Sequence, residues 1–296
     1  MSILLAADFT PGEWAAWLPA LQAALPGETL HLERGAEDID IAIVANPPAG
    51  ALRNLPALRL VQSLLAGVDK LLRDPSVPPD VPLARMVDPA MNAAMAETAL
   101  WATLALQRDF FDYAAQQRDG SWRQLAQRRA DETRVAVLGQ GQMGRAVAER
   151  LAQQGFEVTG WSSRGGPLDD VLEQADVVIS LLPLTPATSG LFDRERFARM
   201  RRGASFVNLA RGAQVVEADL LAALDGGQLK RAVLDVFATE PLPGGHPFWR
   251  HPKVTVLPHV AAQTDPRSAA QVAAENVQAL RSGQPLQHLV DRRRGY

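Results

Sequence analysis

The stretch RVAVLGQGQMGRAVAERLAQQG, residues 134–155, decides the fold. An apolar run leads into Gly139, Gly141 and Gly144, and apolar residues then recur at helical spacing. Between a strand and a helix, the first glycine permits a tight turn and the second lets backbone N–H groups approach a pyrophosphate, while the third allows close helix packing. The helix N-terminus adds a favourable dipole for phosphates. The stretch predicts a dinucleotide site that also includes Gln142 and Met143.

Apolar runs with strand character alternate with helical patterns along the chain, which predicts an α/β architecture with parallel sheets. The richest helical pattern, about residues 90–118, lacks internal Gly and Pro and predicts one long helix. A last helix, about 265–281, is expected to cross back to the N-terminal part. We expect two doubly wound domains, a flavodoxin-like substrate domain (1–97 plus 268–296) and a Rossmann cofactor domain (98–267).

Composition narrows the possible partners and sites. The chain has 296 residues, a net charge of −3 and no cysteine, so we expect no nucleic-acid partner, disulfide or thiolate site. Neither HxxxH, HExxH nor clustered carboxylates occur, so no metal site is expected. The N-terminal run meets Asp8 without a basic region and predicts a strand rather than a signal peptide. No apolar stretch reaches the roughly 20 residues of a spanning helix. These features predict a soluble, cytoplasmic protein without a membrane partner.

Three ionisable residues end successive apolar runs of the second half: Arg211 in FVNLARG, Glu240 in AVLDVFATEP and His259 in VTVLPHVAA. Parallel strands would bring them to one sheet edge. His259 is the natural proton donor for reduction of a 2-keto acid, because histidine titrates near neutral pH. Glu240 would favour the imidazolium and fix the ring, and Arg211 would bind a carboxylate bidentately. Surface or structural roles are the alternatives for all three.

The residue that reads the adenosine ribose follows the second strand of a dinucleotide site, where an NAD site usually has Asp or Glu. Here EVTGW is followed by two hydroxyls and a guanidinium. These groups suit a 2′-phosphate. We therefore expect NADP(H) to be preferred, with NAD(H) still possible, and contacts from Trp161, Ser162, Ser163 and Arg164.

The sequence resembles the D-2-hydroxyacid dehydrogenase family through VLGQGQMGRAVA, ISLLPLTPATSGLF, FVNLARGAQVVEADLLAALDGGQLKRAVLDVFATEPLP and HPKVTVLPHVAA. The resemblance implies that Arg211 binds the substrate carboxylate and that Glu240 and His259 deliver the proton. It places Asp235 at the nicotinamide carboxamide and Leu182 and Pro183 near the cofactor ribose. For Asp235, a buried strand-end role without a ligand is the alternative.

The N-terminal half carries the resemblance further, because SLLAGVDKL looks like the substrate loop of the family. Backbone N–H groups of Ala66, Gly67 and Val68 would hold the substrate carboxylate. The loop WSSR and the ending HLVDRRRGY are similar to the shorter bacterial glyoxylate and hydroxypyruvate reductases. Ala45 stands where that subgroup tends to have an aromatic residue, which suggests a roomier pocket or a different wall.

We therefore predict NADPH-dependent reduction of small 2-keto acids such as glyoxylate and hydroxypyruvate, with a cleft that closes over the substrate. Another dehydrogenase of the family with a bulkier 2-keto acid is one alternative. A dinucleotide-sensing binding protein without turnover is the other. The helix near 90–118 has more apolar surface than one domain face needs, which predicts a homodimer.

Overall fold

The structure, a computed structural model, describes residues 2–33, 35 and 38–296. Contacts divide the chain into two compact units: unit 1 is Met1–Met91 with Thr264–Tyr296, and unit 2 is Asn92–Gln263. Among the described residues, no helix is both long and apolar enough to cross a membrane.

Unit 1 contains a five-stranded parallel sheet in the order β2-β1-β3-β4-β5. Its strands are β1 (Ser2–Ala7), β2 (Thr29–His31), β3 (Ile39–Ala45), β4 (Leu60–Ser63) and β5 (Leu83–Ala84). Its helices are α1 (Pro11–Ala24), α2 (Asp69–Arg73) and, from the end of the chain, α9 (Pro266–Arg281). Strands β3 and β4 are buried almost throughout, as expected for a parallel sheet covered on both faces.

Unit 2 contains a six-stranded parallel sheet in the order β11-β10-β9-β8-β6-β7. Its strands are β6 (Arg134–Leu138), β7 (Glu157–Trp161), β8 (Val177–Ser180), β9 (Ala204–Asn208), β10 (Leu229–Leu234) and β11 (Val254–Val256). Its helices are α4 (Phe110–Arg118), α5 (Gln142–Gln153), α6 (Leu168–Leu172), α7 (Arg194–Arg199) and α8 (Glu217–Asp225), together with most of α3 (Pro89–Gln107). The prediction of two doubly wound parallel sheets is confirmed.

The sheet of unit 2 separates two apolar cores because successive strand residues point to opposite faces. Val135 and Val137 of β6 pack in the core that contains residues of α3 and α5. Ala136 and Leu138 of the same strand pack in the core that contains residues of α6 to α8. This covering on both faces leaves the strand ends as the accessible edge of the sheet.

The prediction of one long helix over residues 90–118 is wrong. The helix is broken into α3 and α4 at Asp109, whose backbone is left-handed with φ of 55°. Asp is one of the few residues that adopt this conformation readily. Lys230 binds the Asp109 carboxylate and Arg231 binds Asp112 of α4 at 3.0 Å. These ion pairs attach α4 to the start of β10 and stabilise the break.

Candidate active site

The glycine loop follows β6 and forms the start of α5. A Cβ on Gly139 would lie 2.6 Å from the carbonyl oxygen of Leu181, and one on Gly144 would lie 1.7 Å from that of Gly139. Both positions therefore need glycine. A Cβ on Gly141 would meet no atom within 4 Å, so this side of the loop is open. No side chain of the described residues caps α5, which leaves its first N–H groups for a ligand.

The predicted ribose loop lies directly beside the glycine loop. The N–H of Gly139 donates to the carbonyl oxygen of Trp161, the last residue of β7, at 2.8 Å. The indole of Trp161 donates to the carbonyl oxygen of Gly166 at 2.9 Å and holds the loop in a turn. Arg164 and Ser163 are exposed on this turn, and Ser162 is half-buried. Their hydroxyls and guanidinium are therefore accessible at the carboxyl end of the strand.

The loop after β8 lies on the other side of Gly139. The short separation between Leu181 and a Cβ on Gly139 places this loop against the first glycine. Leu182 is buried and Pro183 is half-buried. Both predicted cofactor contacts thus lie beside the glycine loop.

His259 and Glu240 form a close pair. Nδ1 of His259 lies 2.7 Å from Oε2 of Glu240, while Oε1 of Glu240 accepts the N–H of Phe237 at 2.9 Å. Burial alone would raise the pKa of Glu240, but these hydrogen bonds and the charges of His259 and Arg211 outweigh it and hold the pKa below its ordinary value. Glu240 is therefore an anion at neutral pH, and Nε2 is the ring nitrogen left for proton transfer.

The backbone of His259 is left-handed, with φ of 54°. Such a conformation costs on the order of 1–3 kcal/mol in a non-glycine residue and persists where surrounding contacts impose it. Asp235, at the end of β10, supplies these contacts. Its main-chain oxygen accepts the N–H of His259 at 2.9 Å, and its carboxylate accepts those of Val260 and Ala261 at 2.7 and 3.0 Å.

Asp235 is 1% exposed, so its carboxylate is almost entirely removed from water. Burial raises the pKa of Asp235 above its ordinary value, because its N–H donors and the charge of His259 only partly compensate for the lost water. Its observed partners give it a role the sequence did not predict, which is to hold the loop that carries His259. A carboxylate has about four lone-pair sites, so two accepted bonds leave capacity for a ligand.

Arg211 follows β9 on a segment that packs against the segment of Glu240. A Cβ on Gly212 would lie 1.8 Å from the carbonyl carbon of Phe237, so the two segments touch backbone to backbone. Nη1 of Arg211 donates to the carbonyl oxygen of Ala210 at 2.7 Å. The charge of Arg211 contributes to the lowered pKa of Glu240. The structure thus brings the three predicted ionisable residues to one edge of the sheet in unit 2.

The predicted substrate loop belongs to unit 1, where it connects β4 to α2. The N–H of Leu65 donates to Oγ of Ser63 at 3.0 Å, and its carbonyl oxygen accepts the N–H of Met86 at 3.1 Å. The loop is thus fixed on one side, with Ala66 and Gly67 half-buried and Val68 buried ahead of α2. Ala45, at the end of β3, is only 2% exposed.

Three buried polar residues near these loops were missed by the sequence analysis: Ser180, Asn208 and Gln214. Ser180 and Asn208 end β8 and β9, and Gln214 ends the short turn that follows Arg211. Asn208 holds the Arg211 segment, since its Nδ2 donates to the Arg211 carbonyl oxygen at 3.1 Å. For Ser180 and Asn208, a polar residue at the end of an apolar run was the available signal, and Gln214 had no such signal.

Residues 100–261 match the family model of the D-isomer specific 2-hydroxyacid dehydrogenase NAD binding domain. Glyoxylate/hydroxypyruvate reductase A of Serratia proteamaculans (strain 568) is 40% identical over 95% of this chain and 96% of its own length. The enzyme of that name from Yersinia enterocolitica is 38% identical with the same coverage.

Solved structures of relatives are similar to this chain over its whole length. A D-isomer specific 2-hydroxyacid dehydrogenase from Xanthobacter autotrophicus Py2, in complex with NADPH and MES, has a TM-score of 0.94 and 40% identity. An NADPH-dependent glyoxylate/hydroxypyruvate reductase from Sinorhizobium meliloti, in complex with NADP and sulfate, has a TM-score of 0.93 and 36% identity. Both alignments cover 100% of this chain and 99% of the other.

Proposed function

Because the chain belongs to the family of D-isomer specific 2-hydroxyacid dehydrogenases, we propose that it reduces small 2-keto acids to 2-hydroxy acids with NADPH. One observation carries the proposal: a His259–Glu240 pair at 2.7 Å shares a sheet edge with Arg211 and the glycine loop. A protein that only senses a dinucleotide needs the glycine loop and has no use for this pair.

The residues present fit a dinucleotide. Glycines stand where a Cβ would strike backbone, and the first N–H groups of α5 have no side-chain cap among the described residues. When bound, the reduced nicotinamide supplies the hydride for the carbonyl carbon. Arg211 binds the substrate carboxylate and favours negative charge on the carbonyl oxygen. Nε2 of His259 gives that oxygen a proton, so keto acid, hydride and proton become the hydroxy acid.

We assign the cofactor preference to the turn after β7. Arg164 and Ser163 are exposed there, and no carboxylate follows Trp161 until Asp169. A guanidinium favours the 2′-phosphate of NADPH, whereas a carboxylate would repel it. The relatives with bound NADPH or NADP support this choice. Asp235 is proposed to bind the nicotinamide carboxamide with its remaining acceptor sites, and Leu182 and Pro183 to contact the ribose.

Glyoxylate and hydroxypyruvate are the proposed substrates, supported by the names of the relatives. We propose that N–H groups of Ala66, Gly67 and Val68 take part in binding the substrate carboxylate. A bulkier 2-keto acid is the competing candidate. Ala45 gives that candidate no support, because its side chain is buried and not exposed to a pocket.

The test is the rate at which the purified protein oxidises NADPH with glyoxylate, hydroxypyruvate, pyruvate and longer 2-keto acids. We expect the highest kcat/KM with one of the first two. A maximum with a longer acid would reassign the substrate. Saturable NADPH binding without oxidation by any of them would contradict the reductase and favour the sensing protein.

We also propose that the protein acts as a cytoplasmic homodimer through the surface of α3, α4 and the segment after them. Trp101, Phe110 and Trp122 are 44%, 54% and 95% exposed on these consecutive elements. Aromatic side chains are enriched in the buried parts of protein interfaces. Multi-angle light scattering should give the mass of two chains, and Trp101→Glu should shift it towards one. Trp249→Glu, at a residue 48% exposed elsewhere in unit 2, is the matched control. A monomeric parent would contradict the dimer.

A further inference from the structure

Gln214 is a completely buried amide three residues after Arg211. It ends the short 3₁₀ turn Gly212–Gln214. Its Nε2 donates to the carbonyl oxygens of Leu182 and Pro183 at 2.8 and 3.1 Å. Its Oε1 accepts the hydroxyl of Ser180 at 3.1 Å. Both ends of the amide are therefore bonded inside the protein.

The hydrogen-bond partners of Gln214 require an amide whose NH₂ group faces the two carbonyl oxygens and whose oxygen faces the hydroxyl. The two carbonyl oxygens accept and cannot donate, so they need the NH₂ group, while the hydroxyl can donate to the oxygen. An ionised Glu at this position would have nearly the same shape, but one of its carboxylate oxygens would face the two carbonyl oxygens and repel them. An aliphatic residue would leave buried polar groups without partners.

The Gln214 contacts join two parts of the proposed site. On one side, they hold the loop that contains Leu182 and Pro183, and this loop lies against Gly139 of the glycine loop. On the other side, the main-chain N–H of Gln214 donates to the carbonyl oxygen of Arg211 at 3.3 Å. The side chain of Gln214 thus connects the cofactor loop to the segment that carries the residue proposed to hold the keto acid.

We propose that Gln214 is a positioning residue, which sets the Arg211 segment relative to the loop 181–183 and thereby aligns the keto acid with the nicotinamide. The proposal rests on the proposed function. Gln214 is buried and does not itself touch a ligand. Its effect arises because hydride transfer is steeply sensitive to placement, with misplacement of about 1 Å costing about a hundredfold in rate.

The decisive experiment compares Gln214→Glu with Gln228→Glu. Gln228 offers matched chemistry in the same unit, since its Nε2 donates to the carbonyl oxygens of Phe197 and Met200 at 3.3 and 2.7 Å. It lies just before β10, at the amino end of the sheet and away from the site. Both variants should lose thermal stability. Only Gln214→Glu should lower kcat/KM for glyoxylate by about a hundredfold and raise the Kd for NADPH by about tenfold. Kinetic constants equal to those of Gln228→Glu would overturn the positioning role.

Ser180→Ala provides a milder variant should Gln214→Glu not fold. It removes the hydroxyl that Gln214 accepts and leaves the amide in place. We expect smaller losses in kcat/KM and NADPH affinity, and constants equal to the parent would contradict the proposal. The Kd for NADPH, measured by nicotinamide fluorescence, distinguishes failure of the proposed function from failure of the proposed role of Gln214. If the parent binds NADPH but reduces no keto acid, the proposed function fails. Unchanged affinity and turnover in the variants would refute only the role of Gln214.

Discussion

The two sheets start from the same strand order, 2-1-3-4-5, and the second adds one strand at its edge. They differ in what one buried polar network of each unit joins. In unit 2, Asp235, Asn208 and Gln214 stand at or beyond the carboxyl ends of strands and hold the loops of His259 and Arg211. In unit 1, the buried pair of Gln62 and Asn276 connects β4 to α9 at 2.7 Å.

Arg281 extends the same pattern in unit 1. Its side chain is 14% exposed, and its guanidinium binds Glu28 at 2.8 Å and Asp40 at 2.9 Å. These residues come from opposite ends of the chain. The contacts of Asp235, Asn208 and Gln214 thus hold loops of the proposed site, whereas those of Gln62, Asn276 and Arg281 join distant segments of unit 1. Substitutions in the two networks should therefore separate, with unit 2 variants losing turnover and unit 1 variants losing stability.

The largest effect is expected from His259→Asn. Removing the proton donor should lower kcat for glyoxylate reduction by about a thousandfold, within the range for general acid catalysis. The Kd for NADPH should stay within twofold, because the ring is not proposed to bind the cofactor. His251→Asn is the matched control, since His251 also pairs with a carboxylate in unit 2, Asp225, at 3.2 Å. Turnover of His259→Asn equal to that of the control would remove the catalytic role.

Arg281→Met should produce the opposite result in unit 1. Two partly buried carboxylates would lose their cation, which should cost about 3 kcal/mol, the lower end of the range for breaking a buried pair. Hydrogen-exchange protection in β3 should fall by about a hundredfold, while kcat at low temperature stays near that of the parent. Arg267→Met, in the first turn of α9, should change neither, because Arg267 and Asp265 form an exposed pair. A large loss of kcat in the folded Arg281→Met variant would contradict the separation of roles.

Much of unit 2 could be predicted from sequence because its signals are local. Gly139, Gly141 and Gly144 follow an apolar run directly, and Arg211 and His259 each end one. The partners of these residues could not be predicted in the same way. Gln214 meets Ser180 across 34 positions, and Asp235 meets Ala261 across 26. Such pairings depend on which strands are neighbours and on loop paths that no short motif specifies.

The broken helix at Asp109 shows the same limit. Neither Gly nor Pro marks the break. Lys230, which binds the carboxylate of Asp109, lies 121 positions away along the chain. Local propensity favours a continuous helix there, and tertiary ion pairs stabilise the break. The combined length of α3 and α4 could therefore be predicted from the sequence, whereas the position of the break between them could not.

A smaller effect is expected from Arg164→Gln, which tests the accessible turn after β7. Loss of a charge-assisted hydrogen bond of about 2 kcal/mol should lower the ratio of kcat/KM for NADPH to that for NADH by about thirtyfold. Stability should not change, because Arg164 is exposed. Arg202→Gln, an exposed arginine before β9, is the control. A parent enzyme whose kcat/KM for NADH equals or exceeds that for NADPH would refute the assignment of Arg164.

The smallest effect, a loss of turnover of about tenfold, is expected from Glu240→Gln, and its diagnostic result is a shift in pH dependence. The lowered pKa of Glu240 keeps it ionised at neutral pH, where its Oε2 lies 2.7 Å from Nδ1 of His259. Because a carboxylate beside a base favours the protonated form of that base, replacing Glu240 by Gln should remove the proton donor at lower pH. The alkaline limb of kcat/KM for reduction should move to lower pH. The acidic limb of hydroxy-acid oxidation, which needs the neutral ring, should move the same way.

Glu217→Gln, at the other Glu–His pair of unit 2, should move neither limb. A general disturbance of structure would lower both rates without moving their limbs, and that result would assign Glu240 to packing rather than to proton transfer.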